Sequence, residues 1–284
     1  MKQIAVAIIH GMGSQHEDYG ADLAAELLEM FAEKAKVYNL LPGDMLTIQP
    51  VFWAAVFQQG EDELFTKLVK EQDLNYQGIR RFMIHYLADA IAYQPVETAK
   101  HNYYRVHRQV ASSLGVLAGK TGSETPLCVI SHSLGSVIAS NFFYDLQMNQ
   151  DDLETAVDHL TPLERGDTLS LFYTMGTTLP LWSLRYDSFD RPICIPSPSA
   201  AKYNGGFSGE WINFYDRDDV LAYPLKPVSP QYSAAVNEDR EVNAGNILTN
   251  WNPFSHSAYL TDKNVLEPIT DGLFRLWKHI NGLK

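Results

Sequence analysis

The sequence predicts an α/β protein with a mostly parallel central sheet and helices on both faces, and three observations carry that expectation. Ile4 to Ile9 is an unbroken run of β-branched residues and alanine, the pattern of a strand buried on both faces. Leu23, Leu27, Met30 and Phe31 follow at helical spacing with Glu26, Glu29 and Glu33 between them, and β-formers return from Met45. Strand, helix, strand in that order is a βαβ unit, and the alternation resumes at Leu127 with a short apolar strand and a helix behind Gly135.

The remaining elements follow along the chain. Met45 to Phe57 is interrupted by Pro50, so a strand with an irregular exit is expected. From about 58 to 120 the strand pattern gives way to two or three helices, the last running from about Val96 through Val110 to Leu117. This stretch is too long for a simple crossover and reads as a helical insertion. Leu127 to Ile130 is the next strand, and Ile138, Phe142 and Leu146 form the buried stripe of the helix after it. Leu169 to Thr177 and Glu210 to Tyr215 read as two further strands, joined by a loop carrying Pro192, Pro196, Pro198, Gly205 and Gly206. Ile269, Leu273, Leu276 and Ile280 line a closing helix, which Pro268 is expected to start. With 284 residues, 45% of them hydrophobic, and no internal repeat, residues 1–284 read as a single domain.

Composition excludes several classes of function. A formal net charge of −12 without a Lys/Arg-rich block opposes nucleic acid and anionic lipid partners. The two cysteines, Cys128 in an apolar run and Cys194 in a loop, have neither disulfide-framework nor zinc-site spacing. The apolar run in MKQIAVAIIHGMG is shorter than a signal-peptide core, and no segment reaches the ~20 apolar residues of a membrane span. A soluble, cytoplasmic protein without an integral membrane segment is expected; the oligomeric state is left open.

The join between strand and helix in PLCVISHSLGSVIAS, Pro126 to Ser140, packs two serines, a histidine and a glycine into one turn. A nucleophile on such a turn sits in a strained backbone that thrusts its side chain over the sheet edge, and the residues two before and two after it must be small. Ser133 is flanked in this way by Ser131 and Gly135. Small residues also begin ordinary helices, so Ser133 as a simple N-cap competes with that reading.

With IIHGMG at the first strand, ISHSLGS at the turn, NFYDRDDVLAYPL after a late strand and SHSAYL before the last helix, the chain resembles the lipase and esterase branch of the α/β-hydrolase superfamily. The order of these motifs is the family's: oxyanion loop, Ser, acid, His. The resemblance implies an α/β-hydrolase fold and a serine hydrolase acting on a small ester or acyl substrate, with no cofactor and no metal. Ser133 is then the nucleophile, and His256, which lies in a loop after the acid and before the final helix, is the general base. The acid falls in YDRDDV, where the family's Asp-x-Val pattern selects Asp218 with Val220 following, and Asp216 is the runner-up. A calcium loop lacks the alternating ligands and closing Glu it would need here. The oxyanion donors are the backbone N–H groups of Met12 and Leu134. His10 and Gly11 brace that loop, and His132 is expected to point away from Ser133. Thioesterase, amidase or acyltransferase chemistry would use the same residues, and the substituted Ser131 leaves a non-catalytic binding protein of the same fold as a further alternative. Glu61 to Tyr93, including Phe82 and Tyr86, is expected over the Ser133 edge, with packing on the sheet flank as the competing placement. Phe52, Trp53, Trp182 and Trp251 are candidates for an acyl pocket, although aromatics so spaced also fit a core.

Overall fold

The computed structural model describes residues 1–11, 19–94, 100–148, 160–185, 187–244 and 255–283. Six strands form one sheet: β1 (Ile4–Ile9), β2 (Leu46–Val51), β3 (Leu127–His132), β4 (Leu169–Met175), β5 (Glu210–Tyr215) and β6 (Glu238–Glu241). Their spatial order is β2-β1-β3-β4-β5-β6, and every pairing is parallel. All strand C-termini therefore lie at one edge, which is where connecting loops can assemble a site.

Side chains alternate across β1 as a pleated strand requires. Ala5, Ala7 and Ile9 enter one core, together with Val106, Val110 and Leu114 of α4 (Lys100–Thr121) and Val137, Ile138 and Phe142 of α5 (Leu134–Met148). Ile4, Val6 and Ile8 enter the other, against Leu23, Leu27 and Phe31 of α1 (Ala21–Ala35) and Ile269, Leu273, Leu276 and Trp277 of α6 (Lys263–Ile280). Both faces of the sheet are thus covered, and strands buried on both faces read as unbroken apolar runs for that reason.

Three elements differ from the sequence expectation. Pro50 does not end β2; it pairs with Ile8 inside the strand. The strand lies at a sheet edge, where one side carries no ladder and a missing N–H is tolerated. Pro268 does not start α6 but lies a turn inside it. The helix begins at Lys263, where the Asp262 carboxylate accepts the Asn264 N–H at 2.7 Å, and its buried face carries the helix past the proline. The short charged strand β6 follows no apolar pattern. It forms because Asp239 accepts backbone N–H groups from Leu225 and Lys226, both at 2.8 Å, and the side-chain amide of Asn213 at 2.8 Å.

The segment between β2 and β3 is helical: α2 (Gln58–Phe65), a π-helical turn (Thr66–Lys70), α3 (Gln77–Ala92) and α4. Helix α4 packs on the sheet flank through Val106, Val110, Leu114 and Leu117, as its place before β3 demands. Helices α2 and α3 pack on each other: Phe65 is buried, and Arg81 lies over its ring, 5.2 Å from the centroid. Inside this pair the carboxylate of Glu61 meets Nδ1 of His85 at 2.6 Å. Ile79, Met83, Leu87 and Ile91, four residues apart along α3, are exposed.

Gly135 at the start of α5 is where the fold is tightest. A Cβ there would lie 2.3 Å from the His10 carbonyl oxygen and 2.5 Å from that of Ile9, so only glycine lets the helix seat on β1. Gly119, exposed on α4, would place a Cβ in open space. Gly135→Ala should cost about 3 kcal/mol or more, as backbone must move, whereas Gly119→Ala should stabilise by about 0.5–1 kcal/mol. Urea denaturation of the two variants checks both signs.

Candidate active site

Strand β3 turns into α5 at Ser133, whose φ of 54° is left-handed. That conformation is unfavourable for a residue with a Cβ and is held by its surroundings. The Ser133 N–H donates to the Met175 carbonyl at 2.9 Å, and the Ser133 carbonyl accepts the Ser136 N–H at 3.0 Å. Ser131 is accommodated where the usual motif has glycine because its hydroxyl is buried and bonded, 3.2 Å from both Ser136 Oγ and the Tyr173 carbonyl. Gly11 closes over the turn: a Cβ at that position would approach Ser133 Cβ to 2.7 Å.

The histidine comes from the 3₁₀ turn Ser255–Thr261 that precedes α6. His256 Nε2 lies 2.7 Å from Ser133 Oγ, and its Nδ1 lies 2.7 Å from Asp219 Oδ2. A carboxylate on Nδ1 fixes the tautomer with the proton there, so that Nε2 faces the hydroxyl as an acceptor. All three residues are buried, Ser133 at 1% exposure.

The carboxylate at the imidazole belongs to Asp219, not to Asp218. Asp216, buried after β5, accepts the Asp218 N–H on Oδ1 at 2.8 Å and the Ala244 N–H on Oδ2 at 2.6 Å. This side-chain-to-backbone turn sends Asp218 outward to solvent and brings Asp219 inward. The Asp-x-Val pattern misleads because Val220 is itself exposed, at 81%. Asp216 shapes the loop and makes no contact with His256 among the hydrogen bonds of the described residues.

Tyr259 carries no role in the sequence reading. Its hydroxyl donates to Asp219 Oδ2 at 3.0 Å and accepts the Asp216 N–H at 2.9 Å. The signal was present in SHSAYL: residues three apart in a 3₁₀ turn eclipse each other, so His256 and Tyr259 leave the turn on the same side.

The supporting residues act as braces. His10 donates from Nδ1 to the Gly11 carbonyl at 2.6 Å and accepts the Trp53 N–H on Nε2 at 3.2 Å; the Trp53 indole N–H donates back to the His10 carbonyl at 2.8 Å. Their rings stack 4.7 Å apart, so Trp53 belongs to this brace and to the core. His132 packs beside His256 with ring centroids 4.8 Å apart, and its Nε2–H donates to the His256 carbonyl at 2.5 Å. Leu134 is the first residue of α5, where an N–H finds no acceptor within the helix and the helix dipole favours negative charge. Met12 and Trp251 lie outside the described residues, as do the side chains of Phe82 and Tyr86. Phe52 and Trp182 are half-buried; Phe52 sits 5.8 Å from the His10 ring and Trp182 5.9 Å from that of Tyr93.

Electrostatics follow from burial. For Asp219, burial would raise the carboxyl, but the hydrogen bond and charge of His256, with the Leu221 N–H and the Tyr259 hydroxyl, outweigh it and hold the carboxyl below its ordinary value. Burial brings His10 down to about 4 against the opposing bond to Gly11. Burial, reinforced by neighbouring His256, brings His132 down to about 3. His107, held at 2.9 Å by the Tyr93 hydroxyl on the α4 side, is brought to about 3 by burial.

A wholly parallel sheet, a strand-turn-helix join at Ser133, and an acid and a histidine that follow later in the chain make this an α/β-hydrolase fold. No protein-family model matches the chain, and no curated protein matches it. Among solved structures it is similar to a dienelactone hydrolase from Anabaena variabilis ATCC 29413, at 11% identity and a TM-score of 0.38, over 98% of this chain and 87% of that one. Among the described residues, no helix is long and apolar enough to cross a membrane.

The depressed histidines set the response of stability to acid. An unfolded imidazole binds its proton near pH ~6.5, whereas His10, His107 and His132 refuse it until about 4, 3 and 3. The unfolded state therefore binds more protons across that window, and stability falls as pH drops through it. Asp219 adds to the loss only further down, from the ordinary aspartate range near pH ~4 to its depressed value. Denaturant midpoints measured from pH 7.5 to 4 should decline steadily below about 6.5; a flat profile would contradict neutral burial of these rings.

Proposed function

We propose that the protein is a serine hydrolase that cleaves carboxylic esters through an acyl-enzyme on Ser133. The observation that supports this reading best is the continuous chain from Ser133 Oγ through His256 to Asp219, with both links at 2.7 Å. It starts from a residue whose left-handed backbone serves no ordinary N-cap. In the first half-reaction Ser133 Oγ attacks the ester carbonyl while His256 Nε2 takes its proton. The imidazolium is stabilised by Asp219, and the tetrahedral oxyanion is bound by the N–H of Leu134 and, by resemblance, of Met12. Collapse breaks the bond to the alcohol, which leaves with the proton from His256. Water then attacks the acyl-enzyme with His256 as base, and the acid product and free Ser133 are restored. The steps as written require no metal and no organic cofactor, and the substrate class is a small ester or acyl compound.

His132 and His10 contribute by staying neutral. His132 then places no second positive charge beside the imidazolium that forms on His256, and both hold backbone that the reaction needs fixed.

Two experiments test the proposal. Ser133→Ala should abolish turnover of a p-nitrophenyl ester and labelling by a fluorophosphonate probe while the fold is kept. Activity within a few-fold of the unaltered protein would refute the nucleophile. Asp219→Asn should lower kcat on the order of 10⁴-fold, the scale known for loss of a triad carboxylate, while Asp218→Asn, at an exposed residue, should leave kcat within a factor of about two. Comparable losses in the two variants would remove Asp219 from the role.

A further inference from the structure

We propose that Tyr259 is a positioning residue for this site: its hydroxyl clamps the loop after β5 to the turn that carries His256, so that Asp219 faces the imidazole. The inference rests on the hydrolase reading and extends it to a residue that the triad chemistry alone does not require. Tyr259 is fully buried, and its single oxygen holds the loop after β5 at two points, accepting the Asp216 N–H at 2.9 Å and donating to Asp219 Oδ2 at 3.0 Å. Oδ2 is also the oxygen that accepts the His256 Nδ1–H, while Oδ1 accepts the Leu221 N–H at 3.0 Å. The carboxylate is therefore held at both oxygens, and among the described residues the phenol links the acid, the turn-forming Asp216 and the turn bearing the base. Gly176 leaves room for this: a Cβ there would meet Tyr259 Cε2 at 3.0 Å and His256 Cε1 at 3.2 Å.

The clamp also moderates charge. Among the described residues, the ionisable groups that contact His256 are Asp219 from the loop after β5, His132 from the elbow and Tyr259 from its own turn, and Asp216 lies beyond Tyr259, which accepts its backbone N–H. His132 is neutral, so the charged group in direct contact with His256 is Asp219. An O–H donated into that carboxylate withdraws part of its charge from the imidazole. In Tyr259→Phe the ring packing and the Leu221 bond remain, but Asp219 acts more strongly on His256. The imidazolium form of His256 is then favoured relative to the unaltered protein.

The test combines kinetics with titration. Tyr259→Phe, still folded, should lose about tenfold in kcat on a p-nitrophenyl ester at pH 7 with KM little changed, as for loss of a hydrogen bond to a charged group. The acid limb of its pH profile should move to higher pH. A lower Tm with kcat and the acid limb unchanged would reduce Tyr259 to packing and overturn the proposal. If the unaltered protein and Ser133→Ala hydrolyse equally, the hydrolase reading fails separately. The clamp is then read without substrate, by NMR titration of the His256 imidazole: an upward shift in Tyr259→Phe supports it, and an unmoved midpoint overturns it. Should Tyr259→Phe not fold, tyrosine carrying a ¹³Cζ label in the unaltered protein decides. Burial, together with the ionised Asp219 carboxylate it bonds, keeps Tyr259 a phenol above pH 10, and its ionisation with the surface tyrosines would rule the clamp out.

Discussion

The close seating of α5 on the end of β1 is the constraint on which the active edge depends. With no side chain at Gly135, the helix start rests against the carbonyls of Ile9 and His10, and the chain can turn from β3 into α5 within one residue. Ser133 absorbs that turn in a left-handed conformation, and its side chain is left facing His256 rather than the core. The same contact fixes where Leu134 begins the helix. The positions of Ser133 and of the Leu134 N–H are thus set by one packing event between backbone atoms, which side-chain substitutions elsewhere can weaken only indirectly.

The three loops that meet over this turn are tied to one another rather than to solvent. His10 and Trp53 bind the ends of β1 and β2, His132 holds the carbonyl of His256, and Tyr259 joins the base turn to the acid loop. Each tie uses a polar group with its protonation fixed by its surroundings: burial keeps the imidazoles at 10 and 132 neutral and the phenol at 259 un-ionised, while hydrogen bonds and the charge of His256 keep a carboxylate at 219 against its burial. Rigidity at the edge is obtained by withdrawing these groups from water, and the cost is sensitivity to acid.

Much of this was legible in the sequence because the strands are buried on both faces. Ile4–Ile9 and the segment from Leu127 advertise themselves as apolar runs, and the small residues around Ser133 mark a turn that only a few residue types permit. The position of His256 before the last helix follows from chain order. What was not legible depends on partners distant in sequence. Glu238–Glu241 has no strand pattern because its register is set by loop N–H groups from 225 and 226 reaching Asp239. The choice of Asp219 over Asp218 is decided by the turn that Asp216 builds with the N–H groups of Asp218 and Ala244, and a motif two residues wide does not contain that information. Pro268 misled because a good N1 residue is also tolerated within a helix that buries a strong apolar face.

Both borders of the sheet carry residues that a neighbouring strand would find hard to accept. On β2 the border contains Pro50, which has no N–H to offer, and on β6 it consists of Glu238, Asp239, Arg240 and Glu241, four charges in a row. An incoming strand would lose a ladder bond at the first border and face dehydration of ionic groups at the second. Among the described residues the sheet stops at six strands, and its two borders offer partly assembled chains, whose inner strands are the sticky apolar runs, a poor edge on which to stack into larger β-aggregates.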